Sequence, residues 1–121
     1  MCDEKVRKTI GIVESVKIKG QRGVKAVEAK IDTGADRTSI DMKLASEIGL
    51  GPITDTVKVK SALKENSETR LVVEAEIIIY EKSFKLQASV DDRSRMKYDV
   101  LIGRDLLEKS DFLIDPSKAS K

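Results

Sequence analysis

Asp32-Thr33-Gly34 sets a carboxylate, a hydroxyl and a glycine at the end of an alternating apolar–polar stretch, Val27-Glu28-Ala29-Lys30-Ile31. A carboxylate on a strand-ending turn can take a proton from water, provided a second acid protonates the group under attack. The triplet occurs once in 121 residues, and no Asp-Ser-Gly provides another copy. A second carboxylate set on the same triplet would have to come from another copy of the chain.

Histidine is absent. That removes Ser–His and Cys–His nucleophilic systems, histidine-based zinc sites and a histidine general base. Hydrolysis must then run on carboxylates, lysine or an all-oxygen metal site. The one cysteine, Cys2, cannot close an intrachain disulfide, so an oxidising compartment is not indicated. No metal and no cofactor is expected.

The elements that must position Asp32 are short and closely punctuated. Residues 9–19 alternate as a strand, with Ile10, Ile12, Val16 and Ile18 as its inward residues. Gly20-Gln21-Arg22-Gly23 turns the chain, and residues 24–32 return as the strand that delivers Asp32. Thr38-Ser39-Ile40 extends again. Asp41 caps a short helix bearing Met42, Leu44, Ala45 and Ile48, and Gly49 ends it. Residues 53–60 and 69–80 are two strands around a polar tip, a long hairpin able to close over a cleft. Glu81-Lys82-Ser83 turns into a strand over 84–90, and a charged loop follows over 91–97. Tyr98-Asp99-Val100-Leu101-Ile102 is a short buried strand ending at Gly103. Residues 104–109 read as a short helix, and Phe112-Leu113-Ile114 as a last strand. The expectation is an all-β chain, mainly β with two short helices, in which seven short strands form a small closed barrel.

The bulk properties agree. A chain of this length is expected to be a single domain over residues 1–121, with flexible tails at 1–8 and 117–121. Hydrophobic residues make up 40%, charged residues 36% and aromatics 3%, so the core must be aliphatic and the chain soluble. Twenty-three basic residues face 21 acids and alternate with them, which together with the few aromatics argues against a nucleic-acid partner. Only the slight basic excess favours a nucleic-acid-binding barrel. Asp3, Glu4, Lys5, Arg7 and Lys8 interrupt any signal-peptide core after Met1. No apolar run approaches the ~20 residues that cross a bilayer. A cytoplasmic protein with no membrane partner is expected.

A second segment, Val100-Leu101-Ile102-Gly103-Arg104-Asp105-Leu106-Leu107, places apolar residues and a glycine before a short helix. A glycine there lets two chain segments cross closely beneath the triplet. With this segment in hand, the chain resembles the retropepsins, single-domain aspartic peptidases of retroviruses and their cellular relatives. That likeness covers Ile31-Asp32-Thr33-Gly34-Ala35-Asp36 and Leu101-Ile102-Gly103-Arg104-Asp105-Leu106-Leu107. A nearer resemblance is to the bacterial and archaeal retropepsin-like family often labelled "putative ATP-dependent zinc protease". It adds Arg70-Leu71-Val72-Val73-Glu74, Asp92-Arg93-Ser94-Arg95-Met96-Lys97-Tyr98 and Phe112-Leu113-Ile114-Asp115-Pro116, and spans residues 10–117. The zinc of that label finds no support in a chain with no histidine and one cysteine.

The resemblance implies an aspartic endopeptidase acting on polypeptides as a symmetric homodimer. Asp32 would be the catalytic carboxylate, sharing one proton with its copy across the two-fold axis. Thr33 would reach across that axis, and Gly34 would let the loop pass under substrate. Arg104 would pair with Asp36 in a buried ion pair, costly to break by removing one partner. Ala35 cannot donate a hydrogen bond to Asp32 as a Ser or Thr would, so activity nearer neutral than strongly acid pH is expected. The flap would be Ser61, Ala62, Leu63, Lys64, Glu65, Asn66 and Ser67, which is polar and lacks the glycines and apolar character of retroviral flap tips. Arg70, Asp92 and Arg93 match the nearer family, and an ion-pair cluster supporting the barrel accounts for them. The alternative is a catalytically silent domain of this fold used for dimerisation or peptide binding.

Overall fold

Period-two burial runs through most of the strand-forming stretches, one face apolar and the other charged, as a barrel with one packed side requires. A computed structural model describes residues 7–59 and 68–118. In chain order these form β1 (Thr9–Ile10), β2 (Val13–Lys19), β3 (Val24–Ile31), β4 (Ser39–Asp41) and α1 (Met42–Ile48). There follow β5 (Ile53–Val59), β6 (Glu68–Ile79), β7 (Lys82–Asp91), β8 (Val100–Ile102), α2 (Arg104–Leu107) and β9 (Leu113–Ile114).

The main sheet has the order β2-β3-β8-β4-β7-β6-β5, and β2 also pairs with β6. That pairing, Lys17 with Ile78 through Lys19 with Glu76, closes six strands into a barrel. Strand β6 is the longest, at 12 residues. From Leu71 onward it pairs with β7 in the barrel, while Glu68–Arg70 extend past that pairing and stay joined to β5 as an antiparallel arm. Ile18, Ile40, Ile77, Ile79, Val100 and Ile102 are fully buried inside, each contributing about 1.5–3 kcal/mol by leaving water.

The local signals read from sequence operate as expected at both ends of α1. Asp41 accepts a hydrogen bond from the Lys43 N–H (3.1 Å), and Gly49 closes the helix at φ 70°. The β2–β3 turn then docks on that end, where Arg22 donates to the Ser46 carbonyl (2.8 Å). A side chain at Gly20 would place Cβ 2.1 Å from the Ile48 carbonyl oxygen, so this approach needs a glycine.

Three expectations are corrected. Residues 9–19 are two strands, because the chain bends at Gly11 and Ile12. β1 leaves to pair in parallel with β9, and Ile12 turns outward at 41% exposure instead of facing the core. The turn after β6 is Tyr80-Glu81 (φ 49° and 70°), so β7 resumes at Lys82 rather than after Ser83. Six strands, not seven, close the barrel, with β5 attached outside it and β1 and β9 paired apart from it.

Glu14 is buried at the start of the inward row that continues with Val16 and Ile18. Burial opposes its charge. The Gly11 N–H (2.7 Å), the Tyr80 hydroxyl (2.7 Å) and the Lys118 ammonium outweigh that cost and hold its carboxyl below the usual glutamate range. Lys118 also donates to the Thr9 carbonyl (2.7 Å), tying the end of the described chain to β1.

Candidate active site

Asp32 follows β3 directly, and two backbone contacts fix where it leaves the sheet. The Ile31 N–H donates to the Ile12 carbonyl (2.6 Å) and the Asp32 N–H to the Ile102 carbonyl (2.9 Å). The carboxylate then accepts from the Gly34 N–H at 2.9 Å, and the Ala35 N–H returns to the Asp32 carbonyl at 3.2 Å. A Cβ at Gly34 would stand 3.2 Å from Asp32 Oδ1, so the glycine leaves room for this tight turn. Asp32 is half-buried, while Thr33 and Gly34 are exposed at the crest of the loop.

The loop is held from beneath by the segment after β8. The Arg104 N–H donates to the Ala35 carbonyl (2.8 Å) and the Asp105 N–H to the Asp36 carbonyl (3.3 Å). Gly103 passes so close that a Cβ would meet the Arg37 carbonyl carbon at 2.7 Å and the Ala35 oxygen at 2.9 Å. This is the close crossing for which a glycine is needed.

Thr38 and Asp105 lock the crossing, a role the sequence did not assign to either. Thr38, completely buried, accepts from the Gly103 N–H (3.1 Å) and donates its hydroxyl to Asp105 Oδ1 (2.7 Å). Its own N–H reaches both Asp105 carboxylate oxygens at 3.0 Å. Asp105 also accepts from the Leu106 N–H (2.8 Å). An acid in the first turn of a helix whose N-cap is a glycine was the available signal.

Asp36 and Arg104 form an ion pair. In the single chain the Asp36 side chain is 83% exposed and that of Arg104 50%. Both stand on the crest side of the loop, where water screens them and the pair is worth about 0–1 kcal/mol. The flap-tip residues 61–67 lie outside the described residues, and only the arms β5 and β6 are seen.

Arg70 and Arg93 belong to a charged cluster at the base of that flap arm, in keeping with the barrel-supporting reading. Arg70 bridges to Asp91 (3.3 Å). Arg93 is buried. Its N–H donates to Asp41 Oδ1 (2.8 Å) and its Nε to the Tyr98 carbonyl (2.9 Å). Burial lowers the proton affinity of its guanidinium, and Asp91, Asp41 and Asp99 oppose that shift. Asp92 stands apart on the surface, its carboxyl held low by the Ser94 hydroxyl and N–H.

Between the loop and the flap arm lies a cavity of about 520 Å³. Ala35, Asp36 and Arg37 form its rim, Ser39, Ser89 and Leu101 line its sheet side, and Val57, Lys58, Arg70 and Arg93 complete it. Of the four cations in this lining, Arg70 is bridged to Asp91 and Arg93 faces Asp41, Asp91 and Asp99. The Ser39 hydroxyl in this lining is buried without a hydrogen-bond partner. Sequence reading missed Arg37, Ser39 and Lys58, because the cavity is assembled from strands distant in the chain. Among the described residues no cluster of acids, cysteine or histidine could hold a metal.

A family model described as RimB-like, retropepsin-like aspartic endopeptidase RimB, matches residues 45–120. The chain belongs to this family. The matched span of the RimB-like chain contains the flap arms and Gly103, Arg104 and Asp105, and Asp32 precedes it. Among solved structures the chain is similar to protein Lpg0085 of Legionella pneumophila, a DUF785 protein of unknown function. The TM-score is 0.62 at 18% identity, over 96% of this chain and 98% of that one. It is also similar to EIAV protease complexed with the inhibitor HBY-793, with TM-score 0.53 at 15% identity, covering 80% and 85%. At these identities the likeness is one of fold: a retropepsin-like β-barrel. No curated protein matches. No helix among the described residues is long and apolar enough to cross a membrane.

The Thr38 hydroxyl bridge is expected to hold the crossing together. Thr38→Val keeps the shape but leaves the Gly103 N–H without its acceptor, and should lower unfolding free energy by about 1–3 kcal/mol in urea titration. Thr38→Ser should retain most of the stability. Equal stability of Val and wild type would show that the bridge contributes nothing.

Proposed function

We propose that the RimB-like chain is an aspartic endopeptidase whose active site forms when two copies bring their Asp32 loops together on a two-fold axis. The observation that carries this reading is the single Asp32 carboxylate, held by Gly34 on a loop that is braced by Gly103, Arg104 and Thr38. The exposed Thr33 and Gly34 and the solvent-facing Asp36–Arg104 pair give that loop a polar crest suited to a partner loop.

Two carboxylates brought together cannot both ionise cheaply, so the pair holds one proton between them. The ionised Asp32 takes a proton from a shared water, whose oxygen attacks the peptide carbonyl carbon. The protonated Asp32 donates toward the carbonyl oxygen as negative charge develops there. The C–N bond then breaks with proton transfer to the leaving amine. The site is incomplete without the second copy.

The charge of the cavity beside the loop favours acidic side chains in the substrate. Arg70 is bridged to Asp91 and Arg93 faces Asp41 and Asp91, so the excess positive charge rests on Arg37 and Lys58, and the Ser39 hydroxyl can donate to an entering carboxylate.

Purified protein should cleave denatured protein substrates, and Asp32→Asn should reduce that cleavage at least about a thousandfold. With Ala35 beside the carboxylate, the pH–rate profile should peak nearer neutrality than pH 3. A folded wild-type dimer with no cleavage between pH 3 and 8 points instead to a binding domain. Peptides bearing Glu beside the cut bond should be cleaved about tenfold faster than Gln counterparts at low salt, with the ratio shrinking as salt screens the cavity. A salt-independent ratio near one would remove the charge argument.

A further inference from the structure

The cavity beside the loop does not end at Arg37. A second and larger hollow, about 750 Å³, shares Asp36 and Arg37 with it and continues along the outside of the barrel. Its volume lies in the range of ligand-binding clefts. The β6–β7 ladder runs along it, with Glu74 opposite Gln87 and Glu76 opposite Lys85. Ala75 and Leu86, between them, are buried, so the alternation turns the four polar side chains outward. The far end is bounded by the Gly20 turn and by Leu50 and Gly51.

The near wall is the part of β7 before Ser89, whose side away from β6 pairs with no strand among the described residues, and that edge is already engaged. Arg37 Nη1 donates to the Gln87 carbonyl and Lys109 Nζ to the Lys85 carbonyl, both at 3.4 Å. Side chains thus cover those two edge carbonyls and keep the edge from pairing with another strand. What remains is an open trough with both charge signs, continuous with the positively charged cavity at one point, Arg37.

We infer that this trough is an extended binding site for the polypeptide substrate, taking the chain after it leaves the cavity past Arg37. The inference rests on the peptidase reading for the identity of its occupant. Continuity with the candidate cleft selects that occupant, and the mixed charges suit a polar unfolded chain rather than one charge class. Two-fold symmetry gives a dimer two such troughs. One would receive residues before the cut bond and the other those after it. Affinity would then grow with substrate length on both sides, by an effect separate from the chemistry at Asp32.

The test uses full-length Asp32→Asn protein, so that binding is read without cleavage. Two fluorescein-labelled probes are titrated by anisotropy. One is an octamer of alternating Glu and Ala, and the other is the same octamer with eight Ser, Thr and Gln residues added at each end. The longer probe should bind at least about tenfold tighter. Gln87→Trp and, separately, Glu76→Trp should fill the trough and abolish that advantage while leaving octamer affinity unchanged. Unaltered circular dichroism of both variants establishes that they fold. Equal affinity for the two probes, or an advantage that survives both substitutions, overturns the inference. Failure of wild type to cleave either probe, with the length effect intact, removes the peptidase reading and leaves the trough as a peptide-binding site.

Discussion

The structure depends on one close crossing: the backbone of Gly103 lying against Ala35 and Arg37 with no side chain between. That contact lets Arg104 and Asp105 reach the carbonyls of the Asp32 loop and lets Thr38 bridge Gly103 to Asp105. A crossing tight enough to make those bonds cannot accept a Cβ, and a looser one would leave buried polar groups of Thr38 without partners. Buried hydrogen bonds of this kind bring modest net stability, but losing one partner costs the full desolvation of the other. The crossing therefore fixes the Asp32 loop to β8 and α2 as one unit.

The remainder of the fold turns that unit into a candidate site. The start of β6, Glu68–Arg70, extends past its pairing with β7, and with the end of β5 it forms an arm across the cavity from the loop. The Arg70–Asp91 bridge anchors the base of the arm to β7, and buried Arg93, just after β7, is tied to Asp41 at the end of β4. On the proposed reading, the single Asp32 on this exposed loop is half of a two-carboxylate site, and symmetry is the economical way to supply the other half.

Much of this was legible in the residues because the signals were local. Asp41 and Gly49 mark the ends of α1, Gly20 and Gly23 mark a turn, and Gly103 marks a close approach. The alternating aliphatic residues around them called for a β-barrel. What escaped the sequence was set by contacts between distant segments. The bend that turns Ile12 outward reflects capture of β1 by β9. The Thr38–Asp105 lock joins residues with no local pattern in common. The Asp36–Arg104 pair was foreseen, but not its exposure in the single chain, since exposure depends on which side of the loop the chain takes. The positive cavity draws on several strands and is invisible to any single stretch.

The central claim is that one site needs two Asp32 carboxylates from two chains. Mixing wild type with Asp32→Asn at fixed total concentration, after dissociation and reassociation of subunits, tests it directly. If one carboxylate from each chain is needed, an equal mixture retains about one quarter of full activity, because only wild-type pairs are active. Activity proportional to the wild-type fraction, one half in that mixture, would mean that each chain works alone and would contradict the account.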